Sequence, residues 1–496
     1  MIGATVGAVA RVRVAGPGAE LLPDDGLCDV LISDGRIADI APTGALRLAG
    51  DILDAQGAFL VPGLWDHHVH VTPWALASER VPLHDVSSAA EAAARMAGAP
   101  SLRDGRRVGM GMRFAFWPDT PSLAVLDAAT GGIPTYLVNA DLHSVWLNSA
   151  ALAREGLATT DGVLREEDAF EVARRLNAVA PEDADDAVAA MGAAAAARGV
   201  VGIVDLDMQW NAESWARRVA RGFDALRVEF GVYPEHLERA IGEGLRTGDA
   251  LPGRTGLVEV GAMKVITDGS LGTRTAACSH PYPHDPTDRG LLTVPPAALR
   301  ALMSRATGAG FACAVHAIGD EANRHALDAF AATGAWGTIE HAQLVSRTDI
   351  PRFARLGVAA SVQPEHALDD RELTDSVWAA QTATPYPLRS LVDAGADVLL
   401  GSDAPVAPLD PWSAMAAAVF RTRGAADAWR PEEALPFPLA LAASTRGGSR
   451  RPQTIAVGAP ADLVLCATDP RTADESTLRG MEVRATLLGG RVTHLA

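Results

Sequence analysis

Hydrophobic and polar residues alternate in short runs at both ends of the chain. Six runs show this alternation: 28–33, 36–40, 51–60, 461–466, 483–488 and 491–495. Asp34-Gly35 separates the first two runs, and Gly489-Gly490 separates the last two. Alternation interrupted by such dipeptides is typical of antiparallel strands joined by tight turns. We therefore expect residues 1–60 and 450–496 to form the two parts of one small β-sandwich domain.

The middle of the chain, residues 61–449, follows another pattern, in which short apolar runs end in polar residues and Ala- and Arg-rich helical stretches follow. This order predicts a parallel sheet with crossover helices, and the length fits an α/β fold with a (β/α)₈ TIM-like barrel. Ten candidate strands compete for eight barrel positions, so two must be accessory: 61–70, 108–114, 135–140, 200–206, 226–232, 261–267, 311–316, 338–341, 358–363 and 398–403. Segments 71–134 and 141–195 are long for simple connections and predict an inserted lid or pocket wall.

Composition narrows the class of partner. The chain has 61 acidic residues and 43 Lys and Arg, which gives a net charge of −18. This negative charge disfavours binding to nucleic acid and to anionic membrane surfaces. Four scattered cysteines without C-x-x-C spacing predict free buried thiols in a reducing compartment. With no signal-peptide pattern and no membrane-spanning run, we expect a cytoplasmic protein that acts on a small molecule. The sequence leaves the oligomeric state open, although a homodimer is the commonest symmetric assembly.

Candidate chemistry begins at the apolar run that ends in Asp66-His67-His68-Val69-His70. His68 and His70 are two apart in a strand, so both imidazoles point to the same face and suit one cation. His67 points to the other face, where a packing or hydrogen-bonding role is expected. Two ordinary surface histidines are the alternative for this motif alone.

Three further metal-capable side chains end predicted strands. His316 and His341 are 25 residues apart, about one strand–helix unit, and Asp403 ends the run 398–402. Barrel enzymes place their active sites at the carboxyl ends of the strands. Core histidines and a helix-capping aspartate are the alternative, but the ordered series with His68 and His70 favours a metal centre.

Lys264 lies inside an otherwise apolar strand. A buried ammonium is costly unless it is paired or neutralised. One interpretation is an ion pair with Asp268. The other is that Lys264 is deprotonated and carboxylated by CO₂, so that its new carboxylate bridges two metal ions.

Together these residues resemble the amidohydrolase superfamily, specifically its YtcJ-like branch, which includes N-substituted formamide deformylases. The resemblance spans nearly the whole chain. The segment 141–149 (DLHSVWLNS) is similar to the branch's Asp-Gly-His-Ser-x-Trp-x-Asn-Ser motif, with Leu142 replacing glycine. Near the end, Gly458-Ala459-Pro460 lacks the lysine usual before Ala-Asp-Leu. The other matching segments are 34–37, 61–63, 264–276, 316–320, 340–342, 361–366 and 401–405.

The resemblance implies a metal-dependent hydrolase that cleaves an amide or formamide-type C–N bond. It implies one or two divalent ions, Zn²⁺ in the first place, with carboxylated Lys264 as the bridge. Asp403 would take a proton from the attacking water and later give it to the leaving amine. The implied ligands are His68, His70, Lys264, His316, His341 and Asp403.

Other residues are expected to orient ligands or to line the pocket. His143 is a candidate for stabilising the oxyanion, with a structural role beside Trp146 as the alternative. Asp66 and Glu340 are expected to orient imidazoles. Asp268 and Arg274 either hold a polar substrate group or form a salt bridge with each other. The remaining pocket candidates are Trp74, Gln363 and His366.

Alternative functions follow from the same residues. Metal-assisted deamination or isomerisation uses the same chemistry of a bound cation, and a non-catalytic binding protein would share the fold. A non-catalytic relative is expected to lack ligands, whereas all six ligand positions are filled in this chain.

Overall fold

A nearly closed parallel sheet forms the main body of the protein. The computed structural model describes residues 2–18, 26–77, 80–102, 104–252, 256–283 and 285–496. Within these ranges, eight strands pair in parallel, each with the next along the chain. They are Leu64–Val69, Val200–Asp205, Arg227–Val232, Val258–Ile266, Cys313–Ala317, Gly337–His341, Ala359–Val362 and Val398–Leu400.

The residues just after the eighth strand are hydrogen-bonded to the first strand. The backbone N–H of Asp403 donates to the His68 carbonyl at 2.7 Å, and that of Ser402 donates to Asp66 Oδ1 at 2.9 Å. Strands such as Leu64–Val69 and Cys313–Ala317 are buried along their whole length, as expected of parallel strands covered on both faces. The barrel predicted from the sequence is therefore confirmed.

Helices follow the barrel strands, as the alternating pattern predicts. One example is Asp320–Thr333, which follows the strand Cys313–Ala317. This helix is terminated by Gly334, whose φ is 64°. The others after residue 200 are Asn211–Ala220, Pro234–Gly242, Pro296–Gly308, Ile350–Leu356, Pro364–Asp369, Arg371–Val377, Leu388–Asp393, Pro411–Phe420, Phe437–Ala443 and Glu475–Arg479. None of the helices in the described ranges is long and apolar enough to cross a membrane.

The two chain ends share one sheet. Phe59–Pro62 pairs antiparallel with Leu463–Cys466, which joins the N-terminal strands to the C-terminal ones. Asp34 and Gly35 both have positive φ, 52° and 73°, as the predicted hairpin turn requires. The other strands are Ala8–Val14, Cys28–Ser33, Arg36–Pro42, Ile52–Asp54, Val483–Leu488 and Arg491–Leu495. The four cysteines are buried and free, as predicted.

Residues 71–188, with 404–406, form a second compact unit. Its five-stranded sheet contains Val81–Pro82, Arg107–Met112, Thr135–Asn139, Ser144–Leu147 and Val163–Arg165. Its helices are Val71–Ala77, Ala89–Ala97, Leu123–Thr130, Ser149–Glu155 and Glu167–Asn177, and Pro181–Ala196 begins in this unit. The two accessory strands among the ten candidates are therefore 108–114 and 135–140, which pair in parallel with each other. Leu344–Val345 and Thr384–Pro385 form a separate two-stranded ribbon in the barrel unit.

Candidate metal centre

Three buried side chains converge at the carboxyl ends of the barrel strands. His68 comes from the first strand, His341 ends the sixth, and Asp403 follows the eighth. Their ligand atoms all lie within 4.8 Å of one another. Asp403 Oδ1 is 3.4 Å from His68 Nε2, and its Oδ2 is 4.0 Å from His341 Nδ1. Residues 335 positions apart in sequence thus form one donor set because parallel strands end at the same rim.

The other predicted ligands surround this set. His70 Nε2 lies 3.2 Å from Asp403 Oδ1, and the His316 ring centroid is 4.5 Å from that of His341. Lys264 lies on the neighbouring strand, where its partner in register is Ala314. The structure therefore brings the predicted ligand residues to one end of the barrel.

Lys264 is fully buried, with 1% of its surface exposed. Its Nζ has no hydrogen-bond partner among the described residues. Burial lowers the pKa of the Lys264 amine, although the carboxylates of Glu340 and Asp403 favour its charged form. Burial therefore favours the neutral amine, the form that reacts with CO₂, relative to an exposed lysine.

The predicted alternative, an ion pair between Lys264 and Asp268, is wrong. Asp268 is buried, and its carboxylate accepts the backbone N–H groups of Ala277 at 2.9 Å, Ile318 at 3.0 Å and Gly319 at 2.9 Å. Asp268 Oδ1 is also 3.4 Å from His316 Nε2. These contacts hold the loop after the fourth strand against the fifth.

Two acceptors fix the orientation of the imidazoles. His68 Nδ1 lies 2.6 Å from Glu340 Oε2, and His341 Nδ1 lies 2.8 Å from Gln363 Oε1. A ring that donates from Nδ1 keeps Nε2 available as the ligand nitrogen. The expected orienting role of Glu340 is confirmed. Gln363, which is predicted to contact substrate, is also hydrogen-bonded to the His341 imidazole.

The protonation states suit a cation. Burial lowers the pKa of His68 to about 4 and that of His341 well below its ordinary value, so both rings are neutral near pH 7. Burial opposes ionisation of Asp403, but the neighbouring imidazoles hold its pKa well below the usual range. Neutral imidazoles with a carboxylate match the donors that Zn²⁺ prefers. Lys264 Nζ, which has no hydrogen-bond partner among the described residues, extends this fit.

Asp66 and His67 have backbone partners. Asp66 Oδ1 accepts the backbone N–H of His68 at 3.1 Å as well as that of Ser402, so its predicted contact with an imidazole is wrong. His67 Nε2 pairs with the Thr445 carbonyl at 2.9 Å, consistent with its predicted structural role. Asp66 thus ties the first strand to the segment that carries Asp403.

Of the remaining pocket candidates in the barrel unit, His366 lies beside the centre and Arg274 is exposed. The His366 ring stacks on His341 with centroids 6.4 Å apart, and its Nδ1 is 3.5 Å from Gln343 Nε2. Gln343 was missed in the sequence, where its position two residues after His341 was the available signal. Arg274 forms no ion pair with Asp268 within the described ranges, so their predicted salt bridge is wrong.

His143 and Trp74 belong to the second compact unit. His143 Nδ1 lies 3.0 Å from Glu166 Oε2, and its ring contacts Phe170 edge-on at 4.9 Å. Trp74 is buried in the helix Val71–Ala77. Glu166 was missed in the sequence, where an acidic residue 23 positions from a histidine gives no signal.

The chain matches a known protein family and several relatives. The model of the amidohydrolase family matches residues 51–494. Putative amidohydrolase YtcJ of Bacillus subtilis is 31% identical over 48% of this chain and 47% of its own. N-substituted formamide deformylase of Arthrobacter pascens is 26% identical over 93% of this chain and 94% of its own. Protein LONG AFTER FAR-RED 3 of Arabidopsis thaliana is 28% identical over 93% of this chain and 87% of its own.

A solved structure supports the fold. An uncharacterized metal-dependent hydrolase from Pyrococcus horikoshii superposes with a TM-score of 0.79 and 24% identity, covering 95% of this chain and 99% of the other. At this identity the likeness concerns the fold alone. It extends over both the barrel and the strands from the chain ends.

Proposed function

Since the chain belongs to the amidohydrolase family, in its YtcJ-like branch, and is thus an enzyme that hydrolyses C–N bonds, we propose that it cleaves an amide or formamide-type bond of a small molecule. The observation that carries this proposal is the buried set of His68, His341 and Asp403, with ligand atoms within 4.8 Å of one another. A relative along almost the whole chain, the Arthrobacter pascens protein, is named a formamide deformylase.

One or two divalent ions, Zn²⁺ in the first place, would be held by imidazoles and carboxylates. A bound divalent ion would make water acidic near neutral pH and polarise the substrate carbonyl. His68 and His341 would bind through Nε2, because Glu340 and Gln363 occupy Nδ1. The proposed ligands are His68, His70, Lys264, His316, His341 and Asp403.

Lys264 is proposed to be carboxylated. Its neutral Nζ would form a bond to the carbon of CO₂ and lose one proton, which gives a carbamate with one negative charge. Its burial and the lack of a hydrogen-bond partner among the described residues support this change. The carbamate would supply the oxygen ligands that an unmodified ammonium lacks.

Asp403 is proposed to move the proton. Its ionised carboxylate would accept a proton from the attacking water and transfer it to the departing nitrogen.

In the second unit, His143 is proposed to donate to the developing oxyanion, with its ring held by Glu166. The proposed contacts with substrate come from Trp74, Asp268, Arg274, Gln363 and His366. Asp268 and Gln363 would make them beside the hydrogen bonds they form within the barrel unit.

A product screen with a small-amide library tests the proposal. We expect Zn²⁺-loaded protein to release a carboxylate and an amine in equal amounts, and Asp403→Asn to lower kcat by about 100- to 10,000-fold. Asp249→Asn, an exposed aspartate of the barrel unit, is the control and should keep full activity. Release of ammonia alone or an isomerised product would contradict the proposed reaction, and full activity of Asp403→Asn would contradict its role.

A further inference from the structure

Arg421 is a fully buried arginine whose guanidinium lacks partners. It follows the helix Pro411–Phe420, and 0% of its surface is exposed. Nε donates to the Trp429 carbonyl at 3.1 Å. Nη1 and Nη2 have no hydrogen-bond partner in the part of the chain that the structure describes. Because each terminal nitrogen carries two N–H groups, four buried donors are left unsatisfied.

The charge of Arg421 is balanced only in part. Glu433 is the carboxylate that acts on it most strongly, but no ion pair forms within the described ranges, and the Glu433 oxygens accept the backbone N–H and the hydroxyl of Ser390 at 2.9 and 2.5 Å. Glu432 is exposed, and Arg430 is half-buried and adds positive charge. Half-buried Asp370 accepts the Tyr386 hydroxyl at 2.8 Å, so the carboxylates near Arg421 are bonded to other groups and not to its guanidinium.

A buried guanidinium with unsatisfied donors is stabilised by an anion. Burial lowers the pKa of Arg421 to about 10, which still leaves it charged at neutral pH. An uncompensated buried charge costs several kcal/mol, whereas a charge-assisted hydrogen bond to an anion satisfies donors and charge together.

An aromatic ring and strained backbone surround the guanidinium. The Cζ atoms of Arg421 and Arg430 lie 5.4 and 5.1 Å from the Trp429 ring centroid, and the Tyr386 ring meets Trp429 edge-on at 5.7 Å. Three of these residues have left-handed backbone, with φ of 49° at Tyr386, 54° at Arg421 and 50° at Arg430. Positive φ strains the backbone of non-glycine residues, and such residues cluster at ligand clamps and active sites. We name Tyr386, Arg421, Trp429 and Arg430 the Arg421 cluster.

We propose that the Arg421 cluster binds one small carboxylate-type monoanion through Nη1 and Nη2 of Arg421. The planar guanidinium presents parallel N–H groups that match two oxygens on one carbon. Formate and bicarbonate share this chemistry. None of the four residues is a proposed metal ligand, so the inference does not depend on the proposed function.

Calorimetric and thermal titrations of the full-length protein test the proposal. We expect sodium formate or sodium bicarbonate to bind wild-type protein with one site per chain and to raise Tm until the site saturates, while sodium chloride at the same ionic strength gives a smaller rise. Comparison of the formate and bicarbonate titrations shows which of the two anions binds more tightly. Arg421→Met, which keeps the length and the apolar part of the side chain, should lose both the binding heat and the anion-specific rise in Tm.

Arg218→Met is the matched control. Arg218 is also buried and stacks on a tryptophan, Trp215, at 4.7 Å, but the Asp205 carboxylate acts on it. This variant should keep the formate response. The proposal is overturned if wild-type protein binds neither oxyanion, or if chloride gives the same response. Retention of the anion response in Arg421→Met also overturns it. If Arg421→Met does not fold, the wild-type titrations still decide.

Discussion

The Nδ1 atom of His68 lies 2.6 Å from the Oε2 atom of Glu340, although the two residues are 272 positions apart. A carboxylate on the sixth barrel strand thus orients an imidazole on the first, and both side chains are buried. A carboxylate that accepts from a ligand imidazole fixes its tautomer and increases its basicity, which strengthens metal binding.

We expect Glu340→Gln to weaken Zn²⁺ binding by about 10- to 100-fold, because a neutral amide polarises His68 less. Competition with a chromophoric chelator measures the affinity. Glu259→Gln provides the control, since Glu259 lies in a barrel strand but pairs with Arg446. Unchanged affinity in Glu340→Gln would show that the bond has no influence on the metal.

Gly401 is expected to tolerate no side chain. A Cβ there would lie 2.8 Å from the His68 backbone nitrogen and 3.2 Å from Asp66 Oδ1. Gly401→Ala should therefore displace His68 and lower kcat/KM by about 100-fold, the loss typical of a misplacement near 1 Å. Steady-state kinetics and circular dichroism would separate this from unfolding. Gly242→Ala, where a Cβ meets nothing within 4 Å, should behave as wild type; equal kinetics in both variants would refute the steric argument.

Lys264 should carry added electron density at Nζ in crystals of metal-loaded protein grown with bicarbonate. The expected shape is planar, with two oxygens directed at the cation. Crystallography is the suitable measurement because carbamates are labile in solution. A Lys264 side chain that ends at Nζ in fully metal-loaded protein would exclude the bridge.

Asp205 should make stability depend on pH. Burial, with the charge of Asp207, raises the pKa of Asp205 to about 6, above its unfolded value near 3.9. The folded state therefore binds this proton more tightly, so its contribution to stability is full below about pH 4 and is lost as pH rises through about 6. Urea unfolding of metal-free protein should show Asp205→Asn with a smaller loss of stability over this range. An identical slope in wild type and variant would contradict the assignment.

The sequence predicted the barrel because its strands are continuous apolar runs that end in polar residues. It could not separate the eight barrel strands from 108–114 and 135–140, since apolar runs look alike whichever sheet they join. The difference lies in pairing: Arg107 pairs with Thr135, whereas Val200 pairs with Leu64 far away in sequence.

The candidate ligands could be predicted to lie together because His68, His341 and Asp403 each stand at the end of an apolar run. The residues that hold these side chains in place could not be predicted from the sequence. Asp268 looked like a partner of Lys264, but its acceptors are filled by backbone N–H groups of residues 277, 318 and 319, which no side-chain pattern reveals. Gln363 looked like a pocket residue, and only the three-dimensional arrangement shows its bond to His341.

Anomalous diffraction at the zinc edge from metal-loaded crystals would show whether the proposed residues bind the cation. We expect a strong peak within ligand distance, about 2.0–2.2 Å, of His68, His341 and Asp403. A peak bound only by other residues, or none at full zinc loading, would contradict this expectation.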